Sequence, residues 1–433
     1  MWSNLSKVFE WEGKLPTFQR VRVGFPRPRV KSVYSAVHQA IDSLGPLPFP
    51  LQGKRVAITA GSRGISQIPE ILAALVDWLH QRGAQPFIIP AMGSHGGATA
   101  EGQRNVLNNL GITDETVGAP ICSSMEVVEV GRLANGMPVF VDRLASEADG
   151  VVIVNRIKPH TDFVGALESG LGKMAVLGMG KERGASTLHS YGVEGLRDLM
   201  PQAAHLIVNK IPVLFGLASV ENAYHEIASL TAVHPQGIAG PQEEGLLKEA
   251  YALMPHFPFP ELDVLIVDEI GKNISGIGMD TNVIGRVKVH GVPDNSTCDI
   301  HAIAVLDLSK ETHGNASGIG LADVTTQRVV DQIDFEALYI NCITAGICGI
   351  QRSFIPMVAP NDQAAIFTAL RVCGQFDSSR ARIAHIHNTL CMDEIAISAS
   401  LVEQVAGNPG ITLIGQPFSL LFDAEGQLER FVC

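Results

Sequence analysis

The sequence has little of what marks a secreted, membrane-spanning or nucleic-acid-binding chain. Its seven cysteines (Cys122, Cys298, Cys342, Cys348, Cys373, Cys391 and Cys433) are scattered and form no Cys-x-x-Cys. An odd, unpatterned set argues for reduced thiols in a cytoplasm rather than a disulfide framework. The first residues, MWSNLSKVFEWEGK, place charges and aromatics where a signal peptide needs an apolar stretch. No apolar run approaches the roughly 18 residues of a membrane span. Basic tracts are absent as well, and 32 Lys and Arg against 44 Asp and Glu give a formal charge of −12. That balance excludes binding to nucleic acid by phosphate neutralisation.

What is present is apolar bulk and glycine. The chain has 433 residues, 46% of them apolar, with 43 glycines. This length exceeds one ordinary core, so two or three domains are expected, with large buried cores and room for an oligomer interface. Short apolar runs alternate with amphipathic stretches. Arg55 to Thr59 reads as a strand, and Pro69 to Gly83 as a helix punctuated by Pro at its start and Gly at its end. Strands follow at Pro86 to Ile89, at Gly150 to Val154 and within Leu206 to Phe215, with a helix over Ala100 to Leu110. This alternation predicts an α/β fold with largely parallel sheets. Prolines 235, 241, 255, 258 and 260 crowd a linker region around an amphipathic helix. The expected domains are therefore 1–258 and 259–433, both α/β. One local echo, Asn273 to Gly278 (NISGIG) and Asn315 to Gly320 (NASGIG), reads as two similar Gly-rich turns.

Ligands of parallel α/β sheets bind outside the carboxyl ends of the strands, and three clusters fall there. The first is Thr59 to Ser66 (TAGSRGIS), in which Arg63 can grip a carboxylate bidentately. The second is Gly93 to Gly97 (GSHGG), where glycines around His95 let a substrate approach the ring; Thr99 or Ser94 would cap the next helix. The third gathers Arg156, Lys158, His160, Asp162, Glu168 and Lys173 within eighteen positions. Lys173 lies among small and apolar residues, a setting that lowers a lysine's pKa and makes its amine a nucleophile or attachment point. His189 follows sixteen residues later. His385 and His387 alternate as an HxH pair with no third ligand nearby in sequence. HExxH, the P-loop and GxSxG are all absent.

The order and spacing of Arg63, the Gly-x-His loop at His95, Pro159-His160, Lys173 and His189 resemble the nickel-dependent lactate racemase family, over roughly residues 50–200. The resemblance implies a racemase or epimerase that inverts C2 of a 2-hydroxy acid, with its site between the two domains. It implies nickel and a nickel-pincer nucleotide (a nickel pyridinium-3,5-bisthiocarboxylic acid mononucleotide) tethered to Lys173, with His189 completing the nickel coordination. His95 and His160 would be the two acid/base groups and Arg63 the substrate-carboxylate ligand. The chemistry suits the residue types. The α-proton is very weakly acidic, so moving a hydride avoids a carbanion, and one histidine serves each face. Such an enzyme would be cytoplasmic and would depend on the enzymes that make its cofactor.

The sequence also departs from the family pattern. Ala-Gly-Ser-Arg-Gly stands around Arg63 where the family carries Asp-His-Thr-Arg-Pro, and Gly96 replaces an arginine. The stretch from His160 to Lys173 is two or three residues longer, which keeps Lys181 as an alternative tether. These changes point to a different substrate. Lys272 and Asn273 are candidate contacts in the C-terminal half. Two other functions stay open: a metal-dependent hydrolase or lyase with His95, His160 and His189 as direct ligands, and a non-catalytic binder of acidic metabolites.

Overall fold

The computed structural model describes residues 6–11, 13–62, 64–294 and 298–430. The chain forms two compact units: Pro26–Met254, and Met1–Phe25 together with Pro255–Cys433. In chain order, β1 (Phe18–Val23) belongs to the second of these. The first carries β2 (Arg55–Ala60), β3 (Gln85–Pro90), β4 (Val127–Arg132), β5 (Pro138–Asp142), β6 (Gly150–Arg156), β7 (Val213–Glu221) and β8 (Ile227–Val233). The second adds β9 (Glu261–Val267), β10 (Asp299–Val305), β11 (Val324–Thr326), β12 (Met357–Ala359), β13 (Ile383–Ile386), β14 (Glu394–Ser398) and β15 (Ile411–Phe418).

The first unit is built on a five-stranded sheet of order β3-β2-β6-β7-β8. The first four strands are parallel and only β8 runs antiparallel. Each central strand buries both faces. Val56, Ile58, Ile88, Val152 and Val154 enter one core, whereas Ala57, Phe87, Ile89, Val151 and Ile153 enter the other. That is why these strands read as continuous apolar runs. The expected helix forms as Ile68–His80, with Pro69 in its first turn and Gly83 at φ +73 just past its end. Ala100–Asn109 starts at Thr99, whose Oγ1 accepts the Gly102 amide at 3.0 Å. The strand expected within 206–215 is β7. A helix, Met200–Lys210, runs on to Lys210, and β7 begins only at Val213.

The second unit's sheet has the order β12-β11-β10-β9-β13-β14-β1-β15. Strands β9 to β13 are mutually parallel, and β14, β1 and β15 close one side antiparallel. The chain crosses from one unit to the other at Met254–Pro255, near the expected 258. Residues 1–25, expected in the first domain, lie in the second. The reason is β1: Phe18 pairs with Ser398 and with Phe418, completing a sheet whose other strands all come from the C-terminal half. The two echoed turns abut. Gly278 and Gly318 both have positive φ, and a Cβ on Gly318 would lie 1.6 Å from the Ile277 carbonyl oxygen.

Candidate functional site

Because β3, β2 and β6 are parallel neighbours, the loops that leave them emerge along one sheet edge. These loops carry the three clusters. Arg63 itself lies outside the described residues. Beside it, Ser62 Oγ makes a short hydrogen bond with His95 Nδ1, joining the loop after β2 to the loop after β3. His95 is exposed. Gly93, Gly96 and Gly97 flank it at φ +62, +67 and +65. A Cβ on Gly96 would sit 2.5 Å from the Gly102 carbonyl carbon, so both conformation and space require glycine there.

Lys181 supports this loop from beneath. It is fully buried, at φ +53, and its Nζ lies 3.0 Å from Asp142 Oδ2 and 3.2 Å from Gln103 Oε1; it also donates to the Pro90 carbonyl. Gln103 in turn donates to the Gly93 and His95 carbonyls at 2.8 and 3.3 Å. Burial pulls the Lys181 pKa down and the Asp142 pKa up, and each partner opposes the other's shift. Lys181 is thus sequestered as one half of a buried ion pair.

The loop after β6 is held by a buried carboxylate. Glu168 Oε2 accepts the His160 amide at 2.6 Å and Oε1 accepts the Gly165 amide at 3.1 Å, while the Tyr251 hydroxyl donates to both oxygens. Burial raises the Glu168 pKa against these hydrogen bonds. The His160 ring is tilted over Phe163, with centroids 4.7 Å apart. Its Nδ1 accepts the Asp162 amide at 3.1 Å, and its Nε2 lies 2.7 Å from Lys173 Nζ. A backbone N–H can only donate, so Nδ1 presents its lone pair to the Asp162 amide.

Lys173 stands in the first turn of the Leu171–Lys173 helix, directly before a π-helical turn, Met174–Gly178. Widened turns of this kind often accompany functional sites. Glu243 anchors the start, its carboxylate accepting the Gly172 amide at 3.1 and 3.2 Å and the Ala239 amide at 2.8 Å. A Cβ on Gly170 would lie 2.3 Å from Glu243 Oε1, which explains a glycine three residues before the lysine. His189 ends the helix Lys181–His189 and is exposed. Its pKa is pulled below the usual histidine value, first by partial desolvation and then by the positive charge of Lys173, with Asp162 opposing. His160, Lys173 and His189 therefore share one electrostatic neighbourhood.

Other residues of the third cluster are structural partners. Arg156 pairs with Glu221, whose other oxygen accepts the Ser66 amide at 2.7 Å. Ser62, Gln103, Asp142, Glu221, Glu243 and Tyr251 carry no local sequence signal, because each meets its partner across a long stretch of chain. In the second unit, the HxH pair is turned to carboxylates: His385 Nε2 lies 2.8 Å from Asp268, and His387 faces Asp268 and Glu269. Among the described residues, the one set of three or more His, Cys, Asp or Glu donor atoms within 4.8 Å of one another is Glu261, Asp263 and His301. The Arg382 guanidinium already neutralises it, pairing with Glu261 and with Asp263 at 2.6 Å. Lys272 donates to Asn341, and Asn273 accepts from Ser309 Oγ at 2.6 Å.

Residues 36–194 match the family model described as lactate racemase N-terminal domain. The matched span, 159 of the 433 residues, contains Arg63, His95, His160, Lys173 and His189. Among solved structures, the lactate racemase apoprotein from Thermoanaerobacterium thermosaccharolyticum matches at 16% identity, covering 82% of this chain and 86% of that one, with a TM-score of 0.46. No curated protein matches the chain. No described helix is long and apolar enough to cross a membrane.

Proposed function

We propose that this protein is an isomerase, a racemase or epimerase acting on the C2 centre of a 2-hydroxy acid. The family match supports the reaction class. The observation that carries the residue assignment is the 2.7 Å contact between His160 Nε2 and Lys173 Nζ. The contact holds the lysine nitrogen in place, and a lysine amine is a group that attacks an acyl carbon. Lys173 is therefore the attachment point for a nickel-pincer nucleotide, in preference to the ion-paired Lys181. His189, sixteen residues on and held toward its neutral form, offers an imidazole nitrogen to nickel. These residues fit the group, which when bound supplies a hydride acceptor.

The chain's own residues do the rest. Arg63, by its place after β2, binds the substrate carboxylate. His95 and His160 hold and move the hydroxyl proton, one for each face of the flat 2-oxo acid. Ser62 orients the His95 ring, Glu168 holds the His160 backbone, and the Asp162 amide orients the His160 ring. The small-molecule acid and the cofactor-making enzymes are the partners this reading requires, in a cytoplasmic setting. A direct three-histidine metal site fits less well. Both ring nitrogens of His160 are engaged, and the three histidines do not form a cluster of donor atoms within 4.8 Å.

The test is chiral analysis of a panel of 2-hydroxy acids incubated in D2O with protein co-expressed with the cofactor-making enzymes. Inversion at C2 without solvent deuterium at that carbon is expected. Inversion with full deuterium incorporation would contradict hydride transfer, and no inversion of any acid would contradict the reaction class.

A further inference from the structure

We infer that the outer face of Phe335–Met357 in the second unit is the contact surface of a symmetric dimer of this chain. The helix Phe335–Thr344 buries only Leu338 and Cys342, and the helix Ile347–Gln351 buries only Gly349. An ordinary surface helix points its apolar stripe inward and its polar residues out. Here apolar residues also cover the outside. Ile343 is 75% exposed, Phe354 65%, Ile340 59%, Tyr339 58%, Ile347 58% and Met357 54%. Met357 opens β12, the edge strand of the eight-stranded sheet, which extends the same surface.

The size of the patch suits a second copy. Taking about 200 Å² for a fully exposed large side chain, these six residues present roughly 740 Å². That exceeds the roughly 300–600 Å² of the largest patch on a typical monomer. It approaches the roughly 800 Å² that each partner contributes to a standard interface.

Charge selects the occupant. Across Phe335–Met357 the charged side chains are Glu336, exposed at one end, and Arg352, which is buried and donates to the Val287 carbonyl at 2.7 Å. The patch therefore lacks the basic rim that an anionic bilayer needs, and its apolar centre carries no exposed charge. Two copies, each of net charge −12, can meet only where the contact itself is neutral and the remaining charges are screened beyond about 10 Å. A twofold axis through a self-complementary apolar patch meets that condition.

The test is sedimentation velocity on the full chain from about 1 to about 50 µM, where mass action separates dimer from monomer. Wild type is expected to sediment as a dimer. Ile343→Glu is expected to weaken association at least about tenfold, because it buries an unpaired carboxylate, while far-UV circular dichroism and thermal midpoint are retained. Leu413→Glu, an exposed apolar site on β15 at 54%, is the control and leaves association unchanged. A wild-type monomer throughout this range overturns the inference, whether or not it binds vesicles. A dimer that survives Ile343→Glu, or that Leu413→Glu dissociates, overturns it too.

Discussion

His160 Nε2 stands 2.7 Å from Lys173 Nζ, and the ring's other nitrogen accepts the Asp162 amide. This arrangement gives one histidine two roles. Under the proposed function it positions the lysine before attachment and serves as an acid/base group afterwards. Removing either histidine's ring is therefore expected to have separable effects. His95→Ala should lower turnover by about 10²–10⁴-fold, the usual worth of positioned proton transfer, with cofactor loading intact. His160→Ala should lower turnover similarly and also slow loading onto Lys173. Chiral analysis and intact mass on the same preparations read the two effects. Full turnover in either variant contradicts the acid/base assignment.

Ser62 acts on His95 through one short hydrogen bond. Ser62→Ala should cost about 0.5–1.5 kcal/mol of orientation, or about 2–12-fold in kcat, with little change in KM. It should also move the limb of the pH–rate profile that belongs to His95. A change confined to KM would place Ser62 in substrate binding instead.

Lys181 and Asp142 form a fully buried ion pair under the His95 loop. Lys181→Met leaves the Asp142 carboxyl buried without its cation, a loss of about 3–5 kcal/mol for pairs of this kind. Urea unfolding should show that loss, and Lys181→Met/Asp142→Leu should recover most of it. A stable Lys181→Met variant that no longer takes up cofactor would instead make Lys181 the attachment point.

Glu226 gives the acid limb of stability a definite sign. Its carboxyl is held at about 2 against an ordinary 4.5, first by the Arg27 hydrogen bond and then by Asn222. The folded-state value lies below the unfolded one, so this stabilisation is complete above about 4.5 and is lost as pH falls toward 2. The pair is exposed, so the effect is small and salt-sensitive. Glu226→Gln should flatten the fall of the thermal midpoint between pH 4.5 and 2 at low ionic strength. An unchanged slope would mean that solvent screens the pair out.

Much of the first unit is legible in the sequence because its signals are local. The runs that become β2, β3 and β6 are apolar on both faces, and Pro69, Gly83 and Thr99 punctuate their helices as written. Gly96 beside His95 and Gly170 before Lys173 likewise mark places where a Cβ would collide. What escapes is long-range. Nothing near Phe18 announces that it will pair with Ser398 and Phe418, so residues 1–25 read as part of the wrong domain. Lys181 looks like a second candidate amine until the fold brings Asp142 and Gln103 to it. The HxH pair, without a third ligand nearby in sequence, meets Asp268 and Glu269 only in the fold. Position along the chain predicts which residues line the sheet edge, whereas their ionisation depends on partners supplied by distant segments.

The most direct measurement of the central claim is intact mass with nickel content, on the chain co-expressed with the enzymes that make the pincer nucleotide. The prediction is an added mass matching the nucleotide, mapped by digestion to Lys173 and absent from Lys173→Ala, with nickel bound in matching amount. An unmodified chain without nickel, in cells where a lactate racemase loads normally, would contradict it.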